Sequence, residues 1–255
     1  MTDPIQQRTT PASPDRSALR AHTPARVGLR TAGTSLATAE ILDLNLSLAE
    51  ARDAIHARLS TASLLLQLAS RGWNPIILKS VARDRHEYLR RPDLGRQLDR
   101  QSRSFLEASP VEQRTNSLAV IIADGLSAIA AERHAAPLLE ALAPQVDEID
   151  AAPIVIVEQA RVAIGDEIGE LLKSQMTMLL IGERPGLSSS DSLGAYITWQ
   201  PRTGRTDAER NCISNIRPEG LSYEAAALKI ANYLKAAATR QLTGVPLKED
   251  SIFLP

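Results

Sequence analysis

"SLAVIIADGLSAIAAERHAAPLLEAL", Ser117–Leu142, sets an unbroken apolar run against a polar, glycine-containing turn and then a helical pattern. "PIVIVEQARVAIGDEIGELL", Pro153–Leu172, repeats that order. "MTMLLIGERPGLSSSDSLGAY", Met176–Tyr196, gives a third apolar run with its turn, and "AYITW", Ala195–Trp199, a fourth. Runs that do not alternate with polar residues suit strands buried on both faces, as in a parallel sheet. Strand and helix alternating at this spacing argue for an α/β fold, an open sheet with helices on both faces. After the long loop expected at "ERNCISNIRPEG", Glu209–Gly220, the chain closes on a helix in which Tyr223, Ala227, Ile230 and Leu234 share a face, and Gly244 marks the stop.

Upstream of this rhythm the pattern is mainly helical. Ile41, Leu44, Leu48, Ala51 and Ile55 recur at spacings of three and four and fall on one helix face, with Thr34 or Ser35 as the expected N-cap. A second helix runs through Leu64–Leu68 and stops near Gly72. "NPIILKSV", Asn74–Val81, reads as a short strand, and the charged stretch Asp84–Ser109 as helical on both sides of Pro92. Residues 1–27 are rich in Pro, Thr, Ser and Arg without periodicity, the composition of a disordered tail. The expected division is a tail over 1–27, a helical region over 28–112 and the sheet domain over 113–255.

Composition narrows the function classes. A formal net charge of −1 gives no overall field toward nucleic acid or an acidic membrane, and 3% aromatics leave little surface for base stacking. Cys212 is the only cysteine, which excludes an internal disulfide and suits a reducing, intracellular setting. The longest apolar runs fall far short of the roughly 20 residues of a membrane helix. No apolar segment follows the first methionine as a secretory signal would.

In open α/β sheets a ligand sits outside the carboxyl ends of the strands. The segments to search are therefore Asp124–Ser127, Gln159–Ile164 and Gly182–Gly186, with Glu209–Gly220 as a fourth. The turn "DGLSA" lacks the spacing of a dinucleotide fold, and no Gly-Lys-Ser/Thr triplet marks a P-loop. Asp124 and Ser127 fit either a tight turn with the cap of the next helix or a ligand contact. "GLSAI" lacks the second glycine of a nucleophile elbow, and Cys212 reads as a nucleophile or as a small packing residue. His22, His56, His86 and His134 form no metal-ligand pair. In "GERPG" the glycines and Pro185 serve a turn, while Glu183 and Arg184 at a strand end need partners. "CISNI", Cys212–Ile216, interleaves small polar groups with isoleucines, as a polar-lined pocket would.

Taken in order, "RVGLRTAGTSL", "RRPDLGRQLD", "ADGLSA", "GDEIGELL", "IGERPGLSSSDSLG" and "GRTDAERNCISNIRPEGLSYEAA" resemble the small (light) subunit of ethanolamine ammonia-lyase, from about Arg26 to near Gly244. The combination of "GERPGL", "DSL" and "NCISNIRPEG" is the specific part. The resemblance implies a Rossmann-like domain that helps enclose adenosylcobalamin at the interface with a large subunit. That large subunit, a TIM barrel, binds ethanolamine and carries most catalytic groups. Six of each subunit assemble, and radical chemistry yields acetaldehyde and ammonia. The family's cofactor contacts fall on Val162, Glu183 and Cys212, with Arg161, Asp124 and Ser127 as neighbours. No catalytic residue and no protein ligand to the cobalt is expected on this chain. "DRHEYL" begins like the Asp-x-His-x-x-Gly signature of cobalamin proteins that replace the cofactor's own base, but Leu89 stands at the glycine position. That agrees with a family whose cofactor keeps its own base. The resemblance implies a cytoplasmic protein, in a family whose members are often housed in a bacterial microcompartment while some are simply cytosolic. On this reading the glycines of the Glu183 turn let the backbone approach a flat ligand, and the carboxylate meets the amides on its rim. The rival from another class is a noncatalytic α/β scaffold or targeting subunit.

Overall fold

The computed structural model describes residues 19–20, 22–23, 25–108 and 117–247. The tail expected over 1–27 lies for the most part outside the described residues. Backbone contacts divide the chain into two compact units after Ala49.

In the first unit a hairpin of β1 (Thr31–Ala32) and β2 (Ser35–Leu36) leads into α1 (Thr38–His56), which continues past the boundary between the units. Gly33 sits in the hairpin turn at φ +64°, a conformation that costs glycine nothing. Ser35 is spent in the strand and does not cap the helix. The first helical N–H groups, of Glu40 and Ile41, bond instead to the Ala37 carbonyl. Glu40, only 8% exposed, accepts ion pairs from Arg20 and Arg30. The apolar face expected on α1 is only partly buried, since Ile41 and Leu48 are exposed while Ala51 and Ala54 further along are buried.

The second unit begins in the last turns of α1 and continues with α2 (Thr61–Ala69), β3 (Ile76–Lys79) and α3 (Arg85–Arg90). A 3₁₀ turn at Leu94–Arg96 and α4 (Arg100–Ala108) follow, then β4 (Leu118–Ala123) and α5 (Ala128–Leu142). Next come β5 (Ile154–Glu158), α6 (Ile164–Leu171), β6 (Met176–Gly182), β7 (Leu193–Trp199), β8 (Arg210–Ile216) and α7 (Tyr223–Arg240). The strands form one six-stranded sheet in the order β3-β5-β4-β6-β7-β8. This is the α/β architecture expected, with apolar layers on both faces. Val120, Ile122, Met178 and Leu180 pack with α2, α5 and α7 on one side. Ala119, Ile121, Val155, Val157 and Leu179 pack with Leu106 of α4 and Ile164 and Ile168 of α6 on the other.

Two expectations are corrected. The sheet is mixed, because β7 runs antiparallel to both β6 and β8. The segment expected as a loop at Glu209–Gly220 contains β8, whose small polar residues alternate with buried Ile213 and Ile216. Such alternation belongs to a half-buried strand. A bulge hides the period: Ala195 faces Ile213, but Leu193 faces Ile216. One extra residue therefore lies on β8 opposite Gly194, and Asn215 adopts φ +60° there.

Candidate functional site

The carboxyl ends of β4 and β6 meet backbone to backbone. A Cβ on Gly125 would lie 2.1 Å from the Gly182 carbonyl oxygen, and one on Gly182 would lie 2.0 Å from that of Ser127. Glycine at 182 therefore serves the chain's own turn, which corrects the expectation that it opens the backbone to a ligand. Leu126 N–H closes the contact on the Gly182 carbonyl at 2.9 Å.

Glu183 follows directly. Its Oε2 accepts from Ser192 Oγ at 2.6 Å and from the N–H of Asn215 at 3.1 Å. The bulge explains the second bond, since it takes Asn215 out of the ladder and turns its N–H toward the carboxylate. Oε1 lies over Gly194, where a Cβ would approach it to 3.1 Å. No ion pair joins Glu183 among the described residues, and Arg184 beside it is exposed. Glu183 thus stands half-buried over β7, on the sheet face that also carries Tyr196 and Cys212.

Val162 and Cys212, far apart in sequence, line one cavity of about 590 Å³ together with Arg161, Ala163, Tyr196, Arg96 and a rim of Arg205, Thr206, Asp207 and Arg210. Cys212 is exposed, with Sγ 3.3 Å from Ser214 Oγ. Burial first, and the neighbouring Cys212 second, raise the Tyr196 phenol above its ordinary value. The two walls are bolted together by Asp166 of α6 and Arg210 of β8, a bidentate pair at 2.6 and 2.9 Å with both side chains 2% exposed. Glu183 lies beyond this cavity, at the carboxyl end of the same face.

Asp124 and Ser127 are fully buried beneath these walls. Asp124 accepts from the N–H groups of Gln159 and Ala160, each at 3.0 Å, and from Arg85 at 3.3 Å. It so fixes the start of the loop that presents Arg161 and Val162, with Gln159 held at φ +56°. Burial pushes its carboxyl up to about 6, against the pull of the Ala160 N–H and Arg85. Ser127 accepts from Ala130 N–H as the cap of α5 and donates to the Ser190 carbonyl at 2.9 Å, which ties down the loop after Glu183. The same loop is held at Asp191 by Arg133 and Arg217, both at 2.9 Å.

Of the six residues singled out in the sequence, Val162, Cys212 and Arg161 share the cavity, Glu183 flanks it, and Asp124 and Ser127 support it. Arg96, Asp166 and Arg210 lie inside stretches that carry the family resemblance, but neither they nor Tyr196 were singled out as site residues. Within β7 only Tyr196 is less than fully buried, and the apolar run "AYITW" did not mark it. Among the described residues no group of three His, Cys, Asp or Glu side chains is placed to hold a metal ion. No helix among them is long and apolar enough to cross a membrane.

The family model for the ethanolamine ammonia-lyase light chain matches residues 14–248. An ethanolamine ammonia-lyase small subunit of Xanthomonas campestris pv. campestris is 50% identical over 253 residues, covering 95% of this chain and 92% of the relative. Small subunits of Pseudomonas paraeruginosa, 51% identical over 93% of this chain and 90% of the relative, and of Pseudomonas putida, 50% identical over 92% and 87%, are similar to the same extent. A match of this length and identity, over the segments that build the cavity, identifies the chain as a member of the ethanolamine ammonia-lyase light chain family.

Proposed function

We propose that this chain is the small subunit that helps enclose adenosylcobalamin at its interface with a large subunit, in a lyase that converts ethanolamine to acetaldehyde and ammonia by radical chemistry. Bound adenosylcobalamin would supply the radical; the chain supplies position and enclosure. Residues 113–255, with β3 added at the sheet edge, form the cofactor-holding region. Six copies of each subunit assemble, in the cytoplasm or within a bacterial microcompartment.

The observation that carries this reading is the meeting of Val162 and Cys212 on one cavity with Glu183 on the same sheet face. The residues fit the group. A corrin rim presents amide N–H donors, and Glu183 has Oε1 unengaged above a glycine. Val162, Tyr196 and the Cys212 thiol offer a surface of low polarity beside it. A drug-sized ligand fills roughly 300–1,000 Å³, and a corrinoid exceeds that, so a depression of about 590 Å³ gives one wall only. The other wall falls to the large subunit. Asp124 and Ser127 act beneath the surface, holding the Val162 and Glu183 loops.

The test is a visible-spectrum titration of adenosylcobalamin into this chain mixed with its large subunit. Saturable binding that weakens in a Cys212→Phe variant, whose ring fills the shelf, supports the reading. Full affinity in that variant, with the fold intact, moves the cofactor elsewhere.

A further inference from the structure

We propose that the cavity beside Val162 contains an anion subsite, formed by Arg161 and Arg96, that takes a phosphate or phosphodiester group. It rests on the cobalamin reading, in which this anion is the phosphodiester joining the corrin ring to its nucleotide tail.

Four arginines line the cavity, and two of them are already neutralised. Arg205 pairs with Glu209, and Arg210 is held by Asp166 at 2.6 Å with Asp207 a further 3.5 Å away. Asp207 also lines the cavity but is 91% exposed. The guanidinium groups of Arg161 and Arg96 have neither a hydrogen bond nor an ion pair among the described residues. Nε of Arg161 is buried without a partner. Only its face is used, stacked 4.5 Å from the centre of the Tyr88 ring. Stacking fixes the plane of a guanidinium and leaves its edge, a fork of N–H donors, free for a bidentate acceptor.

The local charge is also unbalanced. Arg85 lies 4.9 Å from the same ring and takes the buried carboxylate of Asp124, while the other carboxylates near the cavity, Asp93 and Asp207, are exposed. Two guanidiniums therefore share one buried anion. The Gly95 turn brings a third close. The Arg161 N–H bonds to the Gly95 carbonyl at 2.7 Å. A Cβ on Gly95 would lie 2.8 Å from Tyr88 and 2.9 Å from the Gln159 carbonyl oxygen, so only glycine lets the turn carrying Arg96 press so near. Arg161 is half-buried with its Nε unpartnered, a positive charge that calls for an anion, and the exposed Arg96 stands beside it.

The polarity of the shelf agrees with one ligand. Its far end carries Glu183, an acceptor suited to neutral amide arms, and its near end carries Arg161 and Arg96. A corrinoid has amides around the ring and a single anionic link to its nucleotide.

The complex with the large subunit is titrated with adenosylcobalamin and with adenosylcobinamide, which keeps the ring but lacks the phosphodiester and the base. Charge-assisted bonds of this kind set the expected loss at roughly tenfold to a hundredfold. Arg161→Gln and Arg96→Gln should each weaken adenosylcobalamin by that factor and leave adenosylcobinamide unchanged. Equal weakening of both ligands would mean that the arginines only support the wall, and would overturn the subsite. No change with either ligand, while Cys212→Phe weakens both, would overturn the subsite and leave the cobalamin reading standing. Weaker assembly with the large subunit before any corrinoid is added would assign the arginines to an acidic partner surface instead. Should wild type bind neither corrinoid, the cobalamin reading fails. In that case inorganic phosphate decides: a thermal shift lost in the Arg96→Gln/Arg161→Gln double variant keeps a free-phosphate site, and none in wild type removes it.

Discussion

Glu183 gives one carboxylate oxygen to its own sheet, and the other lies over Gly194. Under the cobalamin proposal, Glu183→Ala removes an acceptor worth about 1–3 kcal/mol and lowers adenosylcobalamin affinity roughly tenfold to a hundredfold. It also orphans the Ser192 hydroxyl, which is 5% exposed, so folding should weaken by about 1 kcal/mol. Glu183→Gln keeps one acceptor and should be milder in both respects. Parallel measurements of affinity and denaturation midpoint on the complex separate the two losses, and unchanged affinity in a folded Glu183→Ala complex removes the residue from the site. His134 acts on the same loop from the other side of the sheet. It is 4% exposed, with Nδ1 2.8 Å from the Tyr223 hydroxyl and Nε2 3.5 Å from Asp191. Burial, the largest influence, holds its pKa below the ordinary 6.5, although Asp191 pulls the other way. On acidification the unfolded chain therefore takes up this proton before the folded one does. The stability linked to His134 is present above pH 6.5 and is lost as pH falls below it. His134→Gln should flatten the fall in thermal midpoint between pH 7 and pH 5 relative to wild type. An unaltered slope would show that the imidazole does not titrate on unfolding.

At the scale of elements, the distance between the β5–α6 loop and β8 is set by Asp166 and Arg210. Removing one partner of a buried pair leaves a charge with no compensation, a cost of about 3–5 kcal/mol. Asp166→Ala should therefore lower the urea midpoint sharply. Asp166→Asn keeps an acceptor for Arg210 and should recover part of the loss. If Asp166→Ala costs less than about 1 kcal/mol, the pair is solvated in solution and cannot be what spaces the walls. The elements differ in how far the sequence revealed them. β4, α5, β5, α6 and β6 were legible because strands such as "LAVIIA" are buried on both faces and helices such as α7 keep a 3.6-residue stripe. Strand direction was not legible, since an apolar run reads the same whether β7 lies parallel or antiparallel. β8 was missed for a local reason: Asn215 is inserted at a bulge, which breaks the period of two after Ile213. The helix start at Thr38 was misplaced because Ser35, a good cap by type, is drawn into a hairpin whose turn depends on Gly33. At the candidate site, Val162, Glu183 and Cys212 were singled out because the ends of buried strands and the loops after them are where α/β ligands lie, and the family resemblance chose among them; the structure brings Val162 and Cys212 to one cavity. Tyr196 and Arg96 were not singled out, because their places on the cavity come from β7 pairing and from the Tyr88–Gly95 contact, neither of which leaves a pattern along the chain.

At the scale of the whole molecule, the two faces of the sheet are not finished alike. One side is closed by α2, α5 and α7 over a continuous apolar layer. On the other, α4 and α6 cover the β3–β6 half, while Cys212 and Ser214 of β8 are exposed and Tyr196 is half-buried. Under the cobalamin proposal a surface of this kind, bordered by Glu183 at one end and by Arg161 and Arg96 at the other, would bind and orient; among the described residues it holds no nucleophile–base pair within hydrogen-bond reach. The cysteine's neighbours are a serine hydroxyl at 3.3 Å and the Tyr196 phenol, and the buried histidine is bonded to a tyrosine. Neither arrangement activates a nucleophile. The isolated chain should therefore release no ammonia from ethanolamine, even with adenosylcobalamin present, and should bind that cofactor weakly because it offers one wall. Addition of the large subunit should restore both turnover and tight binding, with turnover saturating as the small subunit is titrated in. The measurement is ammonia release by each chain alone and by mixtures at fixed large-subunit concentration. Robust release by the purified small subunit would place catalytic groups on this chain and overturn the division of labour. Full activity of the large subunit alone would make the shelf over β7 and β8 a docking surface of another kind.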